Sequence, residues 1–164
     1  MKNIVLIGMP GAGKSTVGVV LAKKAGMKFL DTDLSVQEYM GECLQETIDR
    51  EGKEAFLRIE NIVISGITVE NTVIATGGSV VYGKAAMENI RTNGVMVYLQ
   101  YNYETIEKRL TNLDTRGVAM APGESLRDVY DDRIPRYEAV ADVIVNCEDR
   151  TVDEIVREII RQVR

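Results

Sequence analysis

The sequence predicts an α/β fold, a three-layer α/β/α sandwich built on a five-stranded parallel sheet. Three observations predict it. Short runs rich in Val and Ile alternate with segments whose apolar residues recur at helical spacing, the pattern of a parallel sheet covered on both faces. The first strand-to-helix junction is rich in glycine. The chain of 164 residues, 45% hydrophobic and 27% charged, has the size and composition of one domain with a substantial core.

Taken in order, Asn3 to Ile7 is a continuous apolar run closed by Gly8, and Lys14 to Ala25 repeats apolar residues at helical spacing. Met27 to Leu30 is a second strand, ended by Asp31-Thr32-Asp33. Leu34 to Met40 and Leu44 to Ile64 are helical, interrupted by Gly41 and Gly52. Thr72 to Ala75 is a third strand, after which Thr76-Gly77-Gly78-Ser79 turns toward a helix over Gly83 to Arg91. Gly94 to Leu99 and Asp142 to Cys147 complete the strands. Thr151 and Glu154 form a capping box for a closing helix whose Val152, Ile155, Val156, Ile159 and Val163 share one face. The stretch from Thr111 to Ser125, with Gly117, Pro122 and Gly123 between two helical segments, is too long for a simple connection and reads as a mobile lid on a single domain spanning 1–164.

Composition removes whole classes of function. A net charge of −5 argues against general nucleic-acid binding, so an anionic ligand must be held by local groups. The absence of histidine excludes Ser-His-Asp, Cys-His and His-metal chemistry, leaving a carboxylate or water as proton acceptor. Cys43 and Cys147 have no metal-ligand spacing and read as two reduced, buried thiols. The N-terminus opens directly into a strand, and no run approaches the roughly 20 apolar residues of a membrane helix. A cytoplasmic monomer without nucleic-acid or membrane partners is the expectation.

Gly8-Met9-Pro10-Gly11-Ala12-Gly13-Lys14-Ser15 matches G-x-x-x-x-G-K-[ST] between a strand and a helix, which makes it a phosphate-binding loop. Its glycines turn backbone N–H groups toward phosphate oxygens, and the helix that follows adds its unpaired amides and the positive end of its dipole. Gly11, Ala12, Gly13, Lys14, Ser15 and Thr16 form the ATP-binding set, with Lys14 reaching the outer phosphates and Ser15 ligating Mg2+. The fold class is therefore that of the P-loop NTPases.

Ligands of such sheets sit beyond the carboxyl ends of the strands, so the loops at Gly8 to Ser15, Asp31 to Asp33 and Gly77 to Ser79 converge on one edge. Asp31 and Asp33 point the same way if that segment is extended. One of them is the natural acceptor for a hydroxyl proton, and the other can hold the metal through water. Asp33 also stands where it would cap a helix opening at Leu34. Gly77 and Gly78 can offer backbone donors to a substrate, although a tight turn explains them equally well. Arg109, Arg116, Arg133 and Arg150 gather in the C-terminal third, with Arg116 inside the lid, where closure would carry its charge onto a transferring phosphoryl group.

Over nearly its full length the chain resembles the shikimate kinases. The resemblance rests on the Gly8 to Ser15 loop, Asp31-Thr32-Asp33, the Gly52 to Phe56 segment, Gly77-Gly78, Arg116 and the Arg133 to Tyr137 run, in family order. It implies a small kinase moving the γ-phosphoryl group of ATP to the 3-hydroxyl of shikimate, a step of aromatic amino acid biosynthesis. It further implies that Asp33 contacts the accepting hydroxyl, Asp31 organises magnesium, Arg133 grips the substrate carboxylate and Arg116 serves the phosphates. Arg109 and Arg150 lie near adenine in the same comparison. The chain departs from the family pattern where Phe56 is followed by Leu57 instead of arginine, with Arg58 one position later; where the third glycine is Ser79; and where Gly117-Val118 follow Arg116. Arg58 then becomes a substrate ligand only if the helix turns or its guanidinium reaches back. Transfer to another small hydroxy acid or polyol, or ATP binding without catalysis, are the competing readings. A GTPase is disfavoured by the lack of an Asn-Lys-x-Asp signature.

Overall fold

Five strands form one sheet in the computed structural model, which describes residues 1–113 and 118–164, with the backbone alone for residues 112 and 113. They are β1 (Asn3–Ile7), β2 (Lys28–Asp31), β3 (Thr72–Ala75), β4 (Gly94–Gln100) and β5 (Val143–Asn146), in the order β2-β3-β1-β4-β5 with every neighbouring pair parallel. β1, at the centre, is wholly buried, which is why its sequence is apolar without alternation. The chain moves to one side of β1 for β2 and β3, then crosses to the other for β4 and β5. Such a reversal opens a crevice at the carboxyl ends of the central strands.

The helices are α1 (Lys14–Ala25), α2 (Thr32–Met40), α3 (Leu44–Glu51), α4 (Lys53–Ser65), α5 (Lys84–Thr92), α6 (Tyr103–Leu113), α7 (Leu126–Val140) and α8 (Val152–Val163). Right-handed crossovers put α1 on one face and α4, α5 and α7 on the other. Consistent with this, α8 packs on α1, α4 packs on α5, and both α5 and α7 touch β4. Among the described residues no helix is long and apolar enough to cross a membrane.

The main core is formed by β1, β3 and β4 with Val17, Leu21, Ile90, Ile155 and Ile159 from the helices. A smaller cluster of Val36, Leu44, Ile48, Phe56 and Ala119 lies under α2, α3 and α4. Gly52, at φ 87°, breaks the predicted Leu44 to Ile64 helix into α3 and α4 because only glycine adopts that conformation without strain.

Some boundaries differ from the sequence reading. The predicted lid stretch begins later, since α6 continues through Leu113, and Ser125 caps α7 by accepting from the Asp128 amide. Val80–Tyr82 forms a short 3-10 turn ahead of α5. Both cysteines are free, but Cys43 is exposed at the start of α3, while Cys147 is buried as expected.

Candidate active site

The loop after β1 reaches α1 through Gly13, which occupies the left-handed region at φ 78° and offers no side-chain cap. The amides of Lys14, Ser15 and Thr16 form the first turn of α1 and have no carbonyl one turn back. They point out of the sheet edge together, a preformed anion cradle. The Ala12 amide instead donates to the Met9 carbonyl at 3.1 Å, and the Ala12 side chain is buried, so this residue shapes the loop from within.

The chain bends after β2 in a way the sequence reading misplaced. Asp31, not Asp33, caps α2: its Oδ1 accepts from the Asp33 amide at 2.9 Å, and the helix opens at Thr32. Asp33 therefore lies in the first helical turn and not in an extended segment. The cap leaves Asp31 Oδ2 free to accept from Ser15 Oγ at 2.8 Å, tying β2 to the phosphate loop.

A cavity of about 670 Å³ opens at this edge, lined by the loop from Pro10 to Thr16 apart from Ala12, and by Asp33, Phe56, Glu60, Gly77, Gly78, Ser79, Arg109 and Arg133. The three predicted loops thus converge as their topology requires. Gly77 and Gly78 are the closest approach. A Cβ on Gly77 would lie 2.6 Å from Asp33 Oδ1, and one on Gly78 would lie 2.7 Å from Pro10 Cδ and 2.8 Å from Arg133 Nη1. Tyr137 Oη donates to the Gly78 carbonyl at 2.5 Å, which holds that turn from below.

Four charged groups share the cavity floor. Lys14 is buried, with its ammonium donating to the carbonyls of Gly8 and Met9; burial lowers its pKa to about 8, against the attraction of Asp33. Burial pushes the Asp33 carboxyl up, opposed by Lys14 and reinforced by Asp31. Glu60, 3% exposed, is pushed up to about 7 by burial; the Ser79 hydroxyl bonded to it pulls the other way. Arg133, 1% exposed, donates from Nη2 to the Ala119 carbonyl at 3.1 Å, and its Nε has no partner among the described residues. Such displaced acids and bases, gathered in one cleft, mark sites of chemistry.

A second cavity of about 690 Å³ adjoins, lined by Tyr101, Arg109, Cys147, Arg150 and Thr151 among others. Arg109 belongs to both cavities. Its Nη1 donates to the Gly11 carbonyl at 3.1 Å, its Nη2 to Tyr101 Oη at 2.9 Å, and its guanidinium lies 4.2 Å from the Tyr101 ring centre. Arg150 is exposed at the rim.

One predicted site residue among those described is not brought here. Arg58 is exposed and does not line the cavity. Phe56 and Glu60, four positions apart on α4, share the inward face, and a residue two positions from each is turned about 200° away. The proposal that Arg58 reaches back is therefore corrected. Arg116 lies outside the described residues. Sequence reasoning missed Glu60 and Tyr137; the only signals were the four-residue spacings of Glu60 from Phe56 and of Tyr137 from Arg133.

Comparison with known proteins agrees with this geometry. The family model described as shikimate kinase matches residues 10–164. The shikimate kinase of Vibrio cholerae serotype O1 is 36% identical over 166 residues, covering 98% of this chain and 94% of the relative. That of Caldanaerobacter subterraneus is 35% identical, covering 98% and 95%. Among solved structures, shikimate kinase from Acinetobacter baumannii in complex with shikimate superposes with a TM-score of 0.89 at 29% identity, covering 99% of this chain and 93% of that one. Likeness in sequence and in three dimensions thus runs from the phosphate loop to the last helix, and the chain belongs to the shikimate kinase family, ATP-dependent phosphotransferases with an alcohol acceptor.

Proposed function

We propose that this protein transfers the γ-phosphoryl group of ATP to the 3-hydroxyl of shikimate, and that the residues of the first cavity carry out the transfer. The observation that supports this best is the single cavity shared by Lys14, Asp33 and Arg133, since phosphoryl transfer depends on positioning and charge more than on covalent chemistry. The amides from Gly11 to Thr16, apart from that of Ala12, receive the triphosphate, and Lys14 neutralises charge on its outer oxygens. Burial raises Asp33 so that its carboxylate is a stronger proton acceptor. It takes the proton of the accepting hydroxyl as that oxygen bonds to the γ-phosphorus and the bond to the bridging oxygen breaks, releasing ADP. Arg133 binds the carboxylate of shikimate, and Gly77 and Gly78 let the ring approach the backbone. Arg109 and Arg150 flank the adenine in the second cavity. Arg116 serves the phosphates from the lid.

Ser15 Oγ and Asp31 fit Mg2+: they are hard oxygen donors already 2.8 Å apart at the mouth of the phosphate loop, and magnesium keeps several waters and needs few protein ligands. Bound there, the ion supplies charge withdrawal from the β- and γ-phosphate oxygens.

The test is a coupled ADP-release assay with shikimate and a panel of hydroxylated acids, sugars and polyols. Shikimate is expected to be turned over, and Asp33→Asn to reduce kcat by at least about 100-fold. Unchanged turnover by the variant would remove Asp33 from the mechanism. Turnover of a polyol instead of shikimate would replace the acceptor, a reading supported by Arg133 being the one arginine set against Gly77, Gly78 and Asp33 among the described residues.

A further inference from the structure

Glu60 is not needed by the transfer just described, yet it is one of the few buried charged groups of the chain. Its Oε1 accepts from Ser79 Oγ at 2.7 Å, while Oε2, equally buried, has no hydrogen-bond partner among the described residues. A buried carboxylate oxygen left in that state is rare unless a ligand completes it. It lies against Gly77: a Cβ there would be 2.9 Å from Glu60 Oε2 and 2.6 Å from Asp33 Oδ1. The two carboxylate oxygens therefore flank one point on the cavity wall, one held from α4 by Ser79 and the other from α2.

Resting on the shikimate reading, we infer that Glu60 Oε2 accepts a hydrogen bond from the hydroxyl adjacent to the one phosphorylated, and that Ser79 is the residue positioning Glu60 for it. The site then selects a vicinal diol: Asp33 takes the reacting hydroxyl and Glu60 its neighbour, the 4-hydroxyl of shikimate. Ser79 holds the carboxyl through Oε1, which leaves Oε2 as the oxygen presented to the acceptor. The groups facing Glu60 are Lys14 from α1, Asp33 from α2, Arg133 from α7 and the Ser79 hydroxyl, and removal of that hydroxyl lets the carboxyl hold its proton to higher pH.

The experiment compares wild type, Ser79→Ala and Ser79→Thr with shikimate and with 4-deoxyshikimate, measuring KM and kcat from pH 6 to 9. For shikimate, Ser79→Ala is expected to raise KM about tenfold at pH 7.5 with kcat changed less than threefold, since the lost contact is made in the bound ground state. The acidic limb of its KM profile moves to higher pH, which a loosened fold would not produce. Ser79→Thr, which keeps the hydroxyl, restores both. For 4-deoxyshikimate the same substitution leaves KM unchanged. Equal effects of Ser79→Ala on both acceptors, or none on either, would overturn the inference while leaving the kinase intact. Absence of shikimate turnover by the unaltered protein would overturn the inference and the shikimate reading together.

Discussion

Replacing Lys14 by methionine should abolish the chemistry and alter the pH dependence of stability in a way that isolates one buried charge. Burial lowers Lys14 from its ordinary 10.5 to about 8, a displacement worth roughly 3 kcal/mol. Below pH 8 the folded and unfolded chains both carry the proton, so the folded state bears the full desolvation cost. Between pH 8 and 10.5 the unfolded chain binds more protons than the folded one, and stability attributable to Lys14 rises with pH. Methionine removes that dependence and fills similar volume, but it also deletes the bonds to the carbonyls of Gly8 and Met9, at about 1 kcal/mol each. At pH 7 the variant should therefore be more stable by about 1 kcal/mol. By pH 10 the difference should have moved by about 2–3 kcal/mol in favour of wild type, reversing the order. Urea denaturation of both proteins at the two pH values measures this. Turnover should fall below detection in the variant. A stability difference independent of pH would refute the reasoning that burial holds Lys14 down.

Gly78→Ala places a methyl 2.7 Å from Pro10 Cδ and 2.8 Å from Arg133 Nη1; a loss of about 1–3 kcal/mol in thermal stability and a KM for shikimate raised at least tenfold are expected. Arg109→Ala removes the guanidinium shared by the two cavities, so KM for ATP should rise about tenfold while KM for shikimate stays constant. Leu57→Arg puts a cation on α4 next to the cluster of Phe56, Leu44 and Ala119, all of which also line the first cavity. If it reaches the acceptor carboxylate, KM for shikimate should fall about tenfold, the value of one charge-assisted bond; an unchanged KM would mean that Arg133 alone serves that carboxylate.

The sheet and the phosphate loop were legible because their signals are local. β1, β3 and most of β4 are buried on both faces, which writes them as unbroken apolar runs, and the loop motif carries its own strand and helix context. β2 was harder. It lies at the sheet edge and is only partly buried, so its boundary with α2 depends on a cap, which the sequence reading gave to Asp33. The residue that caps is Asp31, whose other oxygen accepts from Ser15, a contact across sixteen positions of chain that no local pattern records. Glu60 escaped notice for the same reason. A lone acid on an amphipathic helix reads as surface charge until α4 is docked, and only then is its side chain found beneath Gly77 and Ser79. Arg58 illustrates the converse: nearness in sequence to Phe56 suggested the pocket, but helical rotation carried it to solvent.

The two cores described above give the two halves of the site unequal footing. The nucleotide half hangs on β1, clamped between β3 and β4 in the middle of the large cluster. The acceptor half leans on α2, α3 and α4 and, among the described residues, a satellite of five buried side chains. Substitutions in that satellite can reshape what is phosphorylated without loosening the machinery that holds the donor. The architecture therefore separates an unchanging engine from an exchangeable socket, and variety in acceptor choice should accumulate on the side where packing is thinnest.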